Sequence, residues 1–297
     1  MLTRRDAGAL VLLTLMWGVN WPVMKFALRE VSPLWLRALT LGGGALALAL
    51  WFTARRVPLS VPRREWARVA WLALPNIVIW HALSVLGLEL LASGRAAILG
   101  FTMPVWTVLL AVLLKAERMT PRIATAVIAA CVAVGLLSAQ EFAHIAGRPL
   151  GVLLMQVGAF AWAAGTLMLR HSRTTVSNEA LTVGMMVIGT LTMASVAFAF
   201  EPLPRPSQWD ARLWVAVAYI VLLNYGYAQV LWFGMARRLP PSASAFSIMA
   251  VPLVGTVSAT LIVGERPQPA DWLAAVAIAV AIFSAVRPAA GGQSSSR

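Results

Sequence analysis

Ten apolar runs, each about the length a helix needs to cross a bilayer, make up nearly the whole chain. They lie at residues 7–28, 33–52, 68–90, 95–115, 121–139, 150–170, 179–200, 213–234, 243–263 and 270–287. Hydrocarbon offers no partner to backbone N–H and C=O groups, so only helices and closed barrels span it. The runs lack the apolar–polar alternation of barrel strands. The expected fold class is therefore all-α integral membrane, with ten transmembrane helices. Composition agrees, since 60% of residues are hydrophobic and only 12% are charged, against about 25% charged in soluble domains. The first run is long, contains Lys25 and precedes nine more, so it is expected to remain as a span rather than be cleaved as a signal peptide. The small polar tail at 288–297 is expected to be disordered.

A net charge of +13 would suggest nucleic acid in a soluble chain. Here the basic residues sit in short loops between apolar runs, which leaves no basic face and no nucleic-acid partner. With both termini placed in the cytoplasm, sixteen of the 24 Lys and Arg residues fall in cytoplasmic segments. Six fall outside (Arg29, Arg95, Arg148, Arg205, Arg212 and Arg266), and Lys25 and Arg37 lie within spans. Positive charge favours the inside, so a multi-pass protein with both termini cytoplasmic is expected. Cys131, the single cysteine, excludes a disulfide framework, a thiolate metal cluster and a CxxC pair within one chain. No cofactor and no metal site are expected.

The two halves repeat. Residues 104–122 and 252–270 align without gaps at an offset of 148, matching Pro104 to Pro252, Glu117-Arg118 to Glu265-Arg266 and Pro121 to Pro269. Trp17 and Trp162 match at an offset of 145. This divides the chain into a first five-helix repeat at 1–139 and a second at 149–287. Five is odd, so the second copy enters the membrane from the opposite side. Such inverted-topology repeats are typical of secondary transporters that alternate access about a central site.

Polar and aromatic residues near the midplane gather on spans 1, 3, 4, 6, 8 and 9, a set that maps onto itself under the repeat. Polar groups at that depth face protein or a watery cavity, so these six helices are expected to surround a central cavity. Its candidate substrate-binding residues are Trp17, Asn20, Trp21, Trp80, His81, Phe101, Phe160, Trp162, Asn224, Tyr225 and Met249. Singly, such amides can also serve as interhelical glue and such tryptophans as packing anchors. Pro104 and Pro252 each remove a backbone hydrogen bond midway along equivalent helices, as static kinks or as a pair of gate hinges. Lys25 and Arg37 lie near the outer face, where snorkelling to the interface is the default and contact with a substrate carboxylate the alternative.

MWGVNWPVMKFAL (Met16–Leu28), WLRALTL (Trp35–Leu41) and PVWTVLLAVLLKAERMTP (Pro104–Pro121) resemble the drug/metabolite transporter superfamily, ten-helix EamA type. The second half supplies AWAAGTLMLR (Ala161–Arg170) and PLVGTVSATLIVGERPQP (Pro252–Pro269). It departs from the Trp-Gly-x-Asn pattern by placing Ala163 and Gly165 where the first half has glycine and asparagine. The resemblance implies export of small metabolites across a bacterial inner membrane by two inverted halves around a central pocket. Among the substrate types of the family, the aromatic residues and amides favour aromatic or hydrophobic amino acids, whose rings stack on Trp and Tyr. The readings kept beside it are a broad drug or other metabolite exporter and a non-transporting scaffold. An intramembrane enzyme lacks the residues it would need, with no central acid and only three histidines. Proton coupling through His81 or water and facilitated movement both remain open, as does the oligomeric state.

Overall fold

The computed structural model describes residues 4–116, 118–143, 148–231 and 241–286, with backbone alone at 5, 6, 138, 140–143, 241–249, 285 and 286. The tail at 288–297 and the side chain of Met249 lie outside the described residues. Among those described, helical segments follow one another in the order α1 (Arg4–Ala27), α2 (Pro33–Ala54), α3 (Arg63–Leu90), α4 (Ser93–Leu113) and α5 (Pro121–Ala143). Then come α6 (Pro149–His171), α7 (Asn178–Phe200), α8 (Ala211–Leu231), α9 (Pro241–Ile262) and α10 (Pro269–Val286). Seven of these, α1–α4 and α6–α8, are long and apolar enough among the described residues to cross a membrane. The apolar stretches of the other three are shorter, at Pro121–Leu137, Ala250–Ile262 and Pro269–Ser284. The protein is an all-helical, multi-span membrane protein.

Local chemistry explains where the helices begin. Pro33, Pro121, Pro149, Pro241 and Pro269 each open a helix, where the missing N–H would be unpaired anyway and φ is already helical. Ser177 and Asp210 cap α7 and α8 by accepting from the N–H groups of Ala180 and Leu213. The start of α2 is capped from another helix. Glu201, just past α7, accepts from Leu34 N and Trp35 N, each at 3.0 Å. Replacing Glu201 with alanine should destabilise the protein by about 1 kcal/mol, the usual cost of a lost cap. Thermal unfolding in detergent checks this, and an unchanged midpoint would show that water caps α2 equally well.

Three helices are irregular. α3 widens into π turns over Leu74–Ile79 and α8 over Tyr219–Tyr227. Such turns are uncommon and concentrate at functional sites. The two occur on helices that match under the repeat, with Asn76 and Asn224 148 residues apart. α4 breaks at Phe101–Thr102 and restarts at Met103. Pro104 therefore sits in the first turn of a new segment, where it removes no helical hydrogen bond, instead of kinking a continuous helix as its position suggested. Pro252 does lie inside an unbroken helix.

Packing is extensive between α5 and α10, α1 and α9, α2 and α7, and α3 and α6. α4 packs on both α6 and α9, while α8 packs on α1 and α2. One apolar core runs through most of these contacts, from Trp21 and Met24 on α1 to Ile278 and Ile282 on α10. The Gly42–Gly43–Gly44 run of α2 permits its close approach to two neighbours. A methyl group at Gly42 would fall 2.9 Å from the Thr190 methyl on α7, and one at Gly43 2.9 Å from the Val221 methyls on α8. Gly44 lies against the Cβ of Tyr225.

Candidate functional site

The close approach of α2 and α8 brings Arg37 and Tyr225 together. Arg37 is 3% exposed, so it does not snorkel to the interface as its position near the helix start led us to expect. Its Nη1 donates to the Tyr225 hydroxyl at 2.7 Å and its Nη2 to Ser84 Oγ on α3 at 3.1 Å. The Tyr225 hydroxyl in turn lies 3.2 Å from His81 Nδ1. A phenol that accepts from arginine keeps its own proton for the imidazole, so the contact is satisfied when Nδ1 accepts and Nε2 carries the ring proton. His81 also meets the Tyr225 ring edge-on, with centroids 5.7 Å apart, and stands beside Trp80. Arg37 Nε is buried and makes no hydrogen bond. Among the described residues no Asp or Glu ion-pairs with this guanidinium. A buried cation without a counter-charge is unfavourable unless an anion joins it, and the fork of Arg suits a carboxylate.

The other predicted residues divide into two sets. Trp21 is buried and its ring lies against Gly100 of α4 and beside Gly255 of α9. Trp80 packs on Gly158 of α6, and Asn76 on Gly165. Asn20 donates weakly to Met24 Sδ at 3.4 Å while its Oδ1 is buried without a partner. Asn224 is buried within the π turns of α8. Phe101 is buried at the break in α4, and Trp17 and Trp162 are half-buried against the main core. Phe160 is 42% exposed and meets Trp106 edge-on. It shares the more open face of α6 with Leu153 and Val157 rather than joining the Arg37 group.

Lys25 serves a different end of the molecule. Its ammonium donates to the carbonyls of Leu88 and Glu89 at 2.9 and 2.8 Å, at the end of α3. A cation there complements the negative end of the helix. With Leu28, Arg29, Glu89, Val263 and Glu265, Lys25 lines a cavity of about 270 Å³ on the face that carries the α1–α2 loop.

The comparisons with known proteins match this architecture. A family model, the EamA-like transporter family, matches residues 7–139 and again 149–287. The chain belongs to that family. Among its relatives, YoaV of Bacillus subtilis, an uncharacterized transporter, is 22% identical over 92% of this chain and 94% of its own. YedA of Escherichia coli K12, an uncharacterized inner membrane transporter, is 24% identical over 94% of this chain and 89% of its own. A protein of Streptantibioticus cattleyicolor named "Probable terminal-alkyne amino-acid exporter" is 30% identical over 88% of this chain and 86% of its own. A solved crystal structure at 23% identity superposes with a TM-score of 0.65, covering 97% of this chain and 99% of that one. This EamA member is thus a membrane transporter by family.

Sequence reasoning missed Ser84, which holds Arg37, and counted Gln156 among the midplane polar residues without placing it in the substrate-binding set. Gln156 on α6 accepts from Trp106 Nε1 at 3.1 Å and from Thr102 Oγ1 at 3.3 Å, tying α6 to the broken α4. Ser84 follows the π turns of α3 within an apolar stretch, and a serine in such surroundings carries no signal of its own.

Proposed function

We propose that this EamA-family protein exports small amphiphilic metabolites across the inner membrane by alternating access, with aromatic or other hydrophobic amino acids as the first substrate class. The observation that carries the reading is the buried guanidinium of Arg37, held by Tyr225 and Ser84 with Nε unpaired. A zwitterion brings the missing carboxylate to Arg37, and its apolar side chain finds Trp80 and neighbouring rings. In this reading Trp17, Asn20, Trp21, Phe101, Trp162 and Asn224 line the central path. Phe160 adds an aromatic edge through Trp106.

Several features support two inverted halves at 1–139 and 149–287. The family model matches two stretches of nearly those bounds, and the contacts pair as such a repeat requires. α5 with α10 and α2 with α7 are self-matching, while α1 with α9 corresponds to α6 with α4. The relative named as an amino-acid exporter supports the substrate class. The excess of basic residues on one side supports cytoplasmic termini.

The test is counterflow in proteoliposomes with labelled phenylalanine, challenged by a panel of amino acids, amino alcohols and quaternary ammonium compounds. Competition by hydrophobic amino acids, lost when the carboxylate is reduced to an alcohol, is the expected outcome. Equal competition by compounds lacking a carboxylate would overturn the role of Arg37. Repeating the assay with and without a pH gradient, in the wild type and in His81→Ala, decides the coupling. A gradient-driven rate that His81→Ala abolishes assigns His81 to the proton path.

A further inference from the structure

Several helix ends on the α1–α2 loop face are capped by a charged side chain from another helix. Lys25 caps the end of α3, and Arg29 Nη2 donates to Val263 O just past α9 at 3.2 Å. Glu265, just past α9, reaches across to the start of α4. It accepts from Ser93 N at 2.7 Å, from Ser93 Oγ at 3.0 Å and from Gly94 N at 3.3 Å. The next residue along α4, Arg95, pairs with Asp271 of α10 at 2.7 Å, with both side chains largely buried. Asp271 is itself fixed by Gln268 N at 2.7 Å.

Beneath these bonds α4 and α9 are in tight backbone contact. A methyl group at Gly94 would sit 3.1 Å from Thr256 Cα, and one at Gly255 3.1 Å from the Ala97 methyl. Ala97 is fully buried and Thr256 only 1% exposed. Among the described residues α4 and α9 leave no gap at this level, and both charged links tie the start of α4 to residues of the second half.

We propose that Glu265 and the Arg95–Asp271 pair form the lock that holds the path shut on the α1–α2 loop face. α4 cannot part from α9 and α10 without breaking the three contacts to Glu265 and the ion pair. A carboxylate on the positive end of α4 is favoured by the helix dipole as well as by its hydrogen bonds. Glutamine at 265 keeps one acceptor but turns an amide N–H₂ toward N–H donors, so the bidentate grip is lost. The lock rests on the alternating-access reading above. It is read without any transported compound, so it fails or stands separately from the substrate assignment.

The experiment is labelling from one side. Thr256→Cys, close in volume to the native residue, is placed in a Cys131→Ser background and reconstituted. A membrane-impermeant maleimide is then applied to the α1–α2 loop face. With the lock intact, labelling is slow. Glu265→Gln and Arg95→Gln should each raise the rate about tenfold, the effect of losing roughly 1.4 kcal/mol of charge-assisted bonding. Glu265→Asp, which keeps the charge on a shorter arm, should fall between. Unchanged rates in Arg95→Gln and either Glu265 variant, in protein that remains monodisperse, would overturn the lock. So would an equal rise from both faces, which signals general loosening.

Discussion

Replacing Arg37 with leucine should lower transport about a hundredfold while leaving the folded protein as stable as before, or more so. The two effects part company because of what Arg37 binds. Its partners are neutral hydroxyls, Tyr225 and Ser84, and no described carboxylate pairs with it. Losing one member of a desolvated charge pair costs about 2–5 kcal/mol of binding, and about 1.4 kcal/mol is a factor of ten. A substrate carboxylate would lose that much. The protein, by contrast, is relieved of an unpaired buried charge, a change that is often neutral or stabilising. The hydroxyls left behind keep local partners, since Tyr225 still reaches His81 Nδ1 and Ser84 lies 3.4 Å from the His81 carbonyl. Arg37→Lys retains the charge but not the planar fork, so it should raise KM more than it lowers kcat. Transport measured beside thermal unfolding checks all three statements. A leucine variant that transports normally would remove Arg37 from the substrate path.

How much of this was legible in the sequence varies with the physics involved. The seven long apolar helices were legible because a bilayer demands about twenty apolar residues in a row, whatever the neighbours do. Helix starts at Pro33, Pro149 and Pro269 were legible for a similarly local reason. The π turns were not. Pro75 announces a disturbance in α3, but Tyr219–Tyr227 contains no proline at all. Arg37 shows the same limit. A charge five residues into a helix reads as a snorkelling cation, and it is buried by α3, through Ser84, and by α8, whose approach is permitted by glycines two turns further along α2. Those glycines were visible as a motif, yet a glycine run alone does not say which helix it admits. Glu201 and Glu265 were legible only as acidic residues just past helices. Their neighbours in space were not legible, because Glu30 and Glu89 also lie at helix ends and position alone does not say which glutamate meets a helix start.

The consequence of those glycines is large enough to measure directly. Gly44→Val should both destabilise the protein and impair transport, because the new side chain enters space held by Tyr225. Even a single methyl at Gly44 would lie 3.1 Å from the Tyr225 ring carbon Cγ and 3.1 Å from the Met186 methyl, with the Tyr225 Cβ nearer still. Both neighbours are buried and neither is the free end of a surface chain. Overpacking of this kind costs about 1–3 kcal/mol, and because the Tyr225 Cβ moves only with its helix, α8 must shift away from α2. That movement draws the Tyr225 hydroxyl off Arg37 Nη1, so the loss of transport should exceed what the loss of stability explains at temperatures where the protein is still folded. Gly44→Ala should show the same pattern with smaller amplitude. Gly135→Ala on α5 supplies the control, since nothing lies within 4 Å of the added methyl and alanine is favoured over glycine in a helix by about 0.5–1 kcal/mol. Should Gly44→Val unfold and transport like the control, α2 and α8 do not meet at Gly44, and the Arg37–Tyr225 bond would lose its structural basis.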